Sequence, residues 1–354
     1  MINRISNIVK IEIYKEIDEI TNSNYIDYSK FSNKTVLIVG ASGIVGYYLT
    51  LALLNRNDFY NENINIVLID EDVVSIHSLY NKFLQRNDLL YIDSNFNDIS
   101  NLPNDVECII HCGVKKTNTI DEFDNRINNL SGIFKYAKLV DCKSFLLLSN
   151  ADVYGKLYTN RDTIKETDIG YLEQTSDNDF VSLCNRNYEM VCTSLSDEYK
   201  IPLKIARLSY VYGAFNYKKD KHDEWYSMLK SAIDDNIITI ANNKSTNKIN
   251  SYCYITDVVI SLFNILLNGK NKYPYNISCD KSNISLLDFA KIIKNVLPQV
   301  SLIINEEVDY IDLTPLSPIP NVLDNNRLIA LGFKPDISAD EGVAKIINIL
   351  EKLK

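Results

Sequence analysis

The chain is poor in the residues that build metal sites and disulfide frameworks. Its 354 residues include three histidines, His77, His111 and His222, and an odd seven cysteines with no C-x-x-C pair. A metal site therefore has few ligands to draw on, and none is expected. Cys108, Cys112, Cys142, Cys184, Cys192, Cys253 and Cys279 are scattered and mostly lie in apolar runs, as buried thiols of a reducing compartment do. No apolar run approaches the ~18–20 residues that a membrane-spanning helix needs. The opening MINRISNIVKIEIYKEIDEI sets charge among apolar residues at helical spacing, without a long apolar core or a small-residue cleavage site, so it reads as neither signal peptide nor anchor. Positive charge is short as well: 37 Lys and Arg stand against 46 Asp and Glu, a net charge of -9. With no basic stripe, nucleic acid is not an expected partner. These absences describe a cytoplasmic protein that works without membrane, nucleic acid or metal.

What is present is ordinary globular material, 46% hydrophobic and 23% charged, enough for a large core. From Lys34 the chain reads strand, turn, helix: TVLIV, GASGIVG, then YYLTLALLN with apolar residues at i, i+3 and i+4. A strand at Asn65–Ile69 ends in Asp70; a helix over Val73–Arg86 and a short strand at Leu89–Ile92 follow. ECIIH (107–111) and SFLLL (144–148) read as strands buried on both faces, separated by a helix over Asp121–Leu139. A helix over Arg186–Tyr199 leads to a sixth strand, Leu203–Leu208. Six parallel strands with helices between them make an α/β, Rossmann-type doubly wound sheet, followed by a smaller C-terminal α/β substrate domain. The expected division is a helical N-terminal extension over 1–33, a dinucleotide-binding domain over 34–214 with a return strand at about 250–268, and a substrate-side domain over 215–249 and 269–354.

Gly40-x-x-Gly43-x-x-Gly46 joins a strand to a helix, the context that gives a glycine pattern meaning. Gly40 permits the tight turn, Gly43 lets backbone approach a pyrophosphate, and Gly46 lets helix pack on strand, while free N–H groups at the helix start form the anion site. Asp70 ends the second strand where a carboxylate accepts bonds from an adenosine ribose and repels a 2′-phosphate, which favours NAD over NADP. Glu71 and Asp72 are register alternatives. The plainer alternative is that the loop only closes a βα turn and Asp70 only caps a helix.

These residues, with NLSG (129–132), LSNADVYG (148–155) and RLSYVYG (207–213), resemble the extended short-chain dehydrogenase/reductase family, best known for NAD-dependent nucleotide-sugar epimerases and dehydratases. The resemblance runs from about Lys34 to the C-terminus. It is closest to the dTDP-glucose dehydratase and UDP-glucuronate decarboxylase-like proteins of surface-polysaccharide gene clusters, some of which carry a similar helical leader. It implies a nucleotide-sugar pocket between the domains and a homodimer built on the two helices flanking the Ser149 strand. Those helices carry apolar residues on more than one face: Ile127, Leu130, Ile133, Phe134 and Ala137 on one, Met190, Val191 and Leu195 on the other. The implied cofactor set is Gly40, Ser42, Gly43, Ile44, Gly46, Asp70, Asp93, Ser94, Cys112, Gly113 and Asn129.

The family's reaction rests on a YxxxK pair plus a Ser or Thr, in which a nearby ammonium and the nicotinamide charge depress the phenol so that it acts as base. In DFVSLCNRNYEMVC, aligned on Arg186, Glu189 and Cys192, the Lys position is Asn185 and the Tyr position is Val181; four residues before Tyr154, the Ser/Thr position is Asn150. The YxxxK strings at Tyr217–Lys221 and Tyr226–Lys230 follow the sixth strand, on the wrong side of the fold. Family arginines that grip the diphosphate correspond to Asn250 and Asn321, with Lys248 or Lys244 as point-charge substitutes. The substrate side thus comprises Asn150, Asp152, Asn250 and Asn321. Other candidate acids and bases are Asp152, Glu166, Asp168, Cys184 and His111, the last also readable as a structural residue under the cofactor. Three functions stay open: a family enzyme with altered chemistry; a non-catalytic pseudoenzyme that binds cofactor or nucleotide sugar and pairs with an active partner; and an ordinary NAD-dependent epimerase or dehydratase, which requires a different alignment at Val181.

Overall fold

The structure is a computed structural model that describes residues 13–93, 96, 101–113, 119–157, 162–173, 177–215, 224–306 and 322–351. Its centre is a seven-stranded parallel sheet of β1 (Thr35–Val39), β2 (Asn65–Ile69), β3 (Leu89–Ile92), β4 (Val106–His111), β5 (Ser144–Asn150), β6 (Leu203–Leu208) and β10 (Pro274–Ile277). The order is β3-β2-β1-β4-β5-β6-β10. Alternate strand residues face opposite layers. Val36, Ile38, Leu146 and Leu148 join a core with α2 (Ile44–Tyr60) and α8 (Ile255–Asn268), while Leu37, Ile109, Phe145 and Leu147 join another with α4 (Ile120–Leu139) and α5 (Asp177–Tyr199). Because both layers are covered, the strands are nearly all apolar.

The chain order reverses between β1 and β4: from β1 it goes outward to β2 and β3, then returns to the other side of β1. That topological switch opens a crevice at the strand C-terminal ends, where doubly wound proteins place their ligands.

The smaller part contains a three-stranded sheet of β7 (Tyr210–Tyr212), β9 (Ile249–Tyr254) and β11 (Asn283–Ser285), and a parallel pair, β8 (Ile237–Asn242) and β12 (Ser301–Glu306). Around them pack α6 (Glu224–Asp235), α9 (Leu286–Val296) and α11 (Ala339–Glu351). Residues 250–268, expected as one return strand, instead divide into β9 and α8, and β10 is the strand that returns to the main sheet. Residues 255–266 are buried all round, so the apolar run shows no helical stripe and imitates a buried strand. Two helices also differ in extent: the one from Val73 (α3) stops at Tyr80, and α5 starts at Asp177 rather than near Arg186.

The leader is a helix over residues 13–21 (α1), seated through Ile13, Ile17 and Ile20. Its buried Glu16 accepts hydrogen bonds from Tyr48 of α2 and from Tyr254, the residue before α8. Glu19 pairs with Lys345 of α11 at 2.6 Å, and Tyr25 meets Phe333 edge-on at 5.0 Å. The leader thus ties the glycine-loop helix to the C-terminal part of the chain.

Candidate functional site

The glycine loop leaves β1 and starts α2, and its three glycines differ in what they do. A Cβ on Gly40, whose φ is +80°, would stand 2.7 Å from the Gly113 nitrogen, and one on Gly46 would stand 2.5 Å from the Gly40 carbonyl oxygen. Both glycines are therefore required by the fold. A Cβ on Gly43 would meet only the Gly40 oxygen at 3.8 Å, an ordinary contact. The space at Gly43 is open, and α2 begins there without a side-chain cap. This is a cradle that a side chain would fill, at a helix N-terminus suited to an anion. Ser42 and Ile44 flank it, half-buried.

Asp70 closes the adenosine side. One carboxylate oxygen accepts the Ser42 N–H at 2.8 Å and the other accepts the Asp72 N–H at 2.8 Å, so it fixes the loop and keeps lone pairs for a hydroxyl. It does not cap α3; Asp72 does, accepting the Ser75 N–H at 2.9 Å. Glu71 instead faces Asn129 of α4 at 3.5 Å. Asp93 is exposed at the end of β3, and Cys112 and Gly113 lie half-buried beyond β4 against the loop. Ser94 lies outside the described residues.

Across the switch point, the ends of β4 and β5 bring three aligned positions together with α5. Asn185 donates to Asn150 Oδ1 at 3.2 Å, and the same oxygen accepts the Asp152 N–H at 3.0 Å. Val181, one turn before Asn185 on α5, is buried. Beneath them His111 Nε2 and the Tyr188 hydroxyl are 3.1 Å apart, with the Arg126 guanidinium 4.4 Å over the Tyr188 ring. Burial, and then the Arg126 charge, pull the His111 imidazole down to about 4, so it is neutral. Its Nδ1 is buried with no hydrogen-bond partner. Burial likewise pushes the Tyr188 phenol up. Neither group is set to exchange protons with a ligand in the crevice.

The other candidates serve the fold. Glu166, buried, accepts the Asn276 N–H at 2.9 Å and pairs with Arg327 at 3.4 Å; burial raises its carboxyl. Asp168 closes a turn on the Lys165 N–H. Asp152 is exposed on the short helix after β5, and burial raises the Cys184 thiol. Asn250 spends its amide on the Lys248 carbonyl at 3.1 Å, Lys248 is half-buried with its ammonium pushed down by burial, and Lys244 is exposed. Asn321 and the Tyr217–Lys221 string lie outside the described residues. Sequence reasoning used Arg186 only as an alignment landmark. In the structure its guanidinium holds the carbonyls of Val153, Tyr154 and Gly170, fixing the loop after Asn150. Arg207 forks onto Glu189 at 2.7 Å and reaches the Tyr154 hydroxyl at 3.1 Å. Only the charge of these residues signalled such roles; their partners are distant in sequence.

The profile of the NAD dependent epimerase/dehydratase family matches residues 36–278. The dTDP-D-glucose 4,6-dehydratase of Bos taurus is 24% identical over 334 residues, 89% of this chain and 88% of that protein. Among solved structures, dTDP-glucose 4,6-dehydratase from Bacillus anthracis in complex with NAD superposes with a TM-score of 0.73 at 14% identity, covering 90% of this chain and 97% of that one. UDP-glucuronic acid 4-epimerase from Bacillus cereus in complex with NAD gives 0.73 at 19% identity, covering 90% and 99%. At these identities the superpositions are likenesses of fold.

Proposed function

Since the chain belongs to the NAD dependent epimerase/dehydratase family, we propose that it binds NAD and a nucleotide sugar in a crevice that has lost the family's acid–base groups. On this reading it is a homodimeric cytoplasmic binding protein of surface-polysaccharide sugar metabolism, and not an oxidoreductase. NAD, when bound, supplies a hydride acceptor, but the proton of a sugar alcohol has to leave to the protein. The observation that supports the reading is the contact between Asn150 and Asn185 at 3.2 Å with Val181 buried one turn away. Two amides and an alkyl group offer no proton acceptor of useful basicity, and positioned general bases typically contribute about 10²–10⁴-fold.

The cofactor side keeps what binding needs: the open cradle at Gly43 and the carboxylate of Asp70 that disfavours a 2′-phosphate. The substrate side is thinner, with an amide at Asn250 where a fork-shaped guanidinium would grip a diphosphate in two places, so weak sugar-nucleotide affinity follows. The test is restoration. The Val181→Tyr, Asn185→Lys double variant, incubated with NAD and dTDP- or UDP-glucose, should form NADH or altered sugar that the unmodified protein does not form. An unmodified protein that turns over as fast as the double variant would overturn the reading.

A further inference from the structure

The parallel pair β8 and β12 is well covered on one strand only. Parallel strands are stable where both faces are packed, and two strands alone are marginal. On the inner face Ile238 and Ile240 of β8 are buried in one core with Phe289 and Ile293 of α9. Their partners in register are Leu302 and Ile304 of β12. Leu302 is half-buried, but Ile304 is 40% exposed, and Ile303 on the outer face is 43% exposed. Among the described residues no strand pairs with the outer edge of β12. The devices that blunt such an edge are missing too: SLIINE holds no Lys, Arg or Pro, and its register to β8 has no bulge. Its one charge, Glu306, accepts the Asn242 amide of β8 through both oxygens at 3.1 and 2.9 Å, which holds the carboxylate toward β8 and away from the free edge.

The strand complements itself. In an antiparallel pair about a two-fold axis normal to the sheet, residues directly opposite share a face, so odd-numbered residues meet odd ones and even meet even. Centred on Ile303, this register sets Ile303 against its own copy on the outer face, Leu302 against Ile304 twice on the inner face, and Ser301 against Asn305. Every apolar residue then meets an apolar one, and no carboxylate faces another. Centring on Ile304 instead would put Leu302 opposite Glu306. We propose that the free edge of β12 is an interface that takes β12 of a second copy of this chain, joining the two pairs into one four-stranded sheet, β8-β12-β12-β8, with isologous two-fold symmetry. This face is separate from any pairing of α4 and α5.

Light scattering at micromolar concentration should give the unmodified protein a mass of at least two copies. Ile303→Lys sets two ammoniums opposite each other and should halve that mass, whether or not α4 and α5 also pair, with unchanged far-UV circular dichroism because Ile303 is exposed in the protomer. Cross-linking reads the register itself. Ile303→Cys brings two Cβ atoms to about 4.5–5.5 Å, so mild oxidation should join two chains in a band that a reductant removes. Thr239→Cys, exposed on the same face of β8, stands about 14 Å from its copy, three strand spacings away, and should not join. Six of the seven natural cysteines are buried, which keeps the background low. A monomeric mass for the unmodified protein overturns the proposal, as does an unchanged mass for Ile303→Lys or equal cross-linking of the two cysteine variants. Should Ile303→Lys fail to fold, the cysteine pair decides alone.

Discussion

At the scale of single residues, the glycine loop separates what folding requires from what a ligand requires. Gly40 and Gly46 are crowded by backbone, whereas the Cβ position of Gly43 is open. Gly43→Val should therefore leave the thermal midpoint within a few degrees of the parent while abolishing calorimetric NAD binding; loss of both together would assign Gly43 to the fold. His111 gives a pH signature. Its imidazole is held at about 4 when folded, against ~6.5 in an unfolded chain. As pH falls below 6.5 the unfolded chain takes up a proton that the folded one refuses, so stability contributed by neutral His111 is present above that pH and is lost toward pH 4. The loss amounts to about 3 kcal/mol at most. Asp257, whose carboxyl burial raises to about 6, works the opposite way, because it favours the folded state on acidification. The signal is thus a difference between proteins: from pH 7.5 to pH 5 the urea midpoint of His111→Gln should fall less than that of the parent. Equal falls would place the proton elsewhere.

At the scale of elements, strands β1 to β6 were legible because short apolar runs bounded by polar turns have few other uses, and the turn chemistry at GASGIVG located the crevice. The first nine residues of α5 were not legible, since DNDFVSLCN lacks a helical apolar stripe. β10 was missed because four residues opening on Pro274 give too little pattern. The leader was legible as a helix but not as a tie, because Glu16 meets Tyr254 across 238 residues of chain. Glu16 is buried between two phenols and its carboxyl is raised by that burial. Removing it strands the Tyr254 hydroxyl, at about 1–3 kcal/mol for an unsatisfied buried group, while the Tyr48 hydroxyl keeps the Ala214 carbonyl at 2.9 Å. Glu16→Ala should therefore lower the urea midpoint markedly. Glu19→Ala, which breaks only an exposed pair with Lys345, should cost under about 1 kcal/mol. A small effect of Glu16→Ala would mean that the leader is not a tie.

At the scale of the whole molecule, the position of the crevice followed from strand order, while the meaning of its residues depended on a contact that spacing alone does not show, the Asn150–Asn185 pair, 35 residues apart. The dimer expectation is narrowed by the structure. Leu130, Ile133, Phe134 and Ala137 are spent inside the protomer, as part of the core under α4 and α5. Exposed apolar side chains on those helices are Ile120, Leu139, Leu183 and Met190. If α4 and α5 pair with a second copy, Leu183→Lys with Met190→Lys should halve the mass seen by light scattering at micromolar concentration; an unchanged mass places any interface elsewhere. The central claim is binding without oxidation. It is tested most directly by titrating NAD and then dTDP- or UDP-glucose into the unmodified protein, at protein concentrations high enough to see a single turnover, while following absorbance at 340 nm. Heat of binding for NAD, a weaker signal for the sugar nucleotide and no rise at 340 nm are expected; a stoichiometric rise in NADH, or altered sugar nucleotide in the same sample, would show that the protein oxidises what it binds.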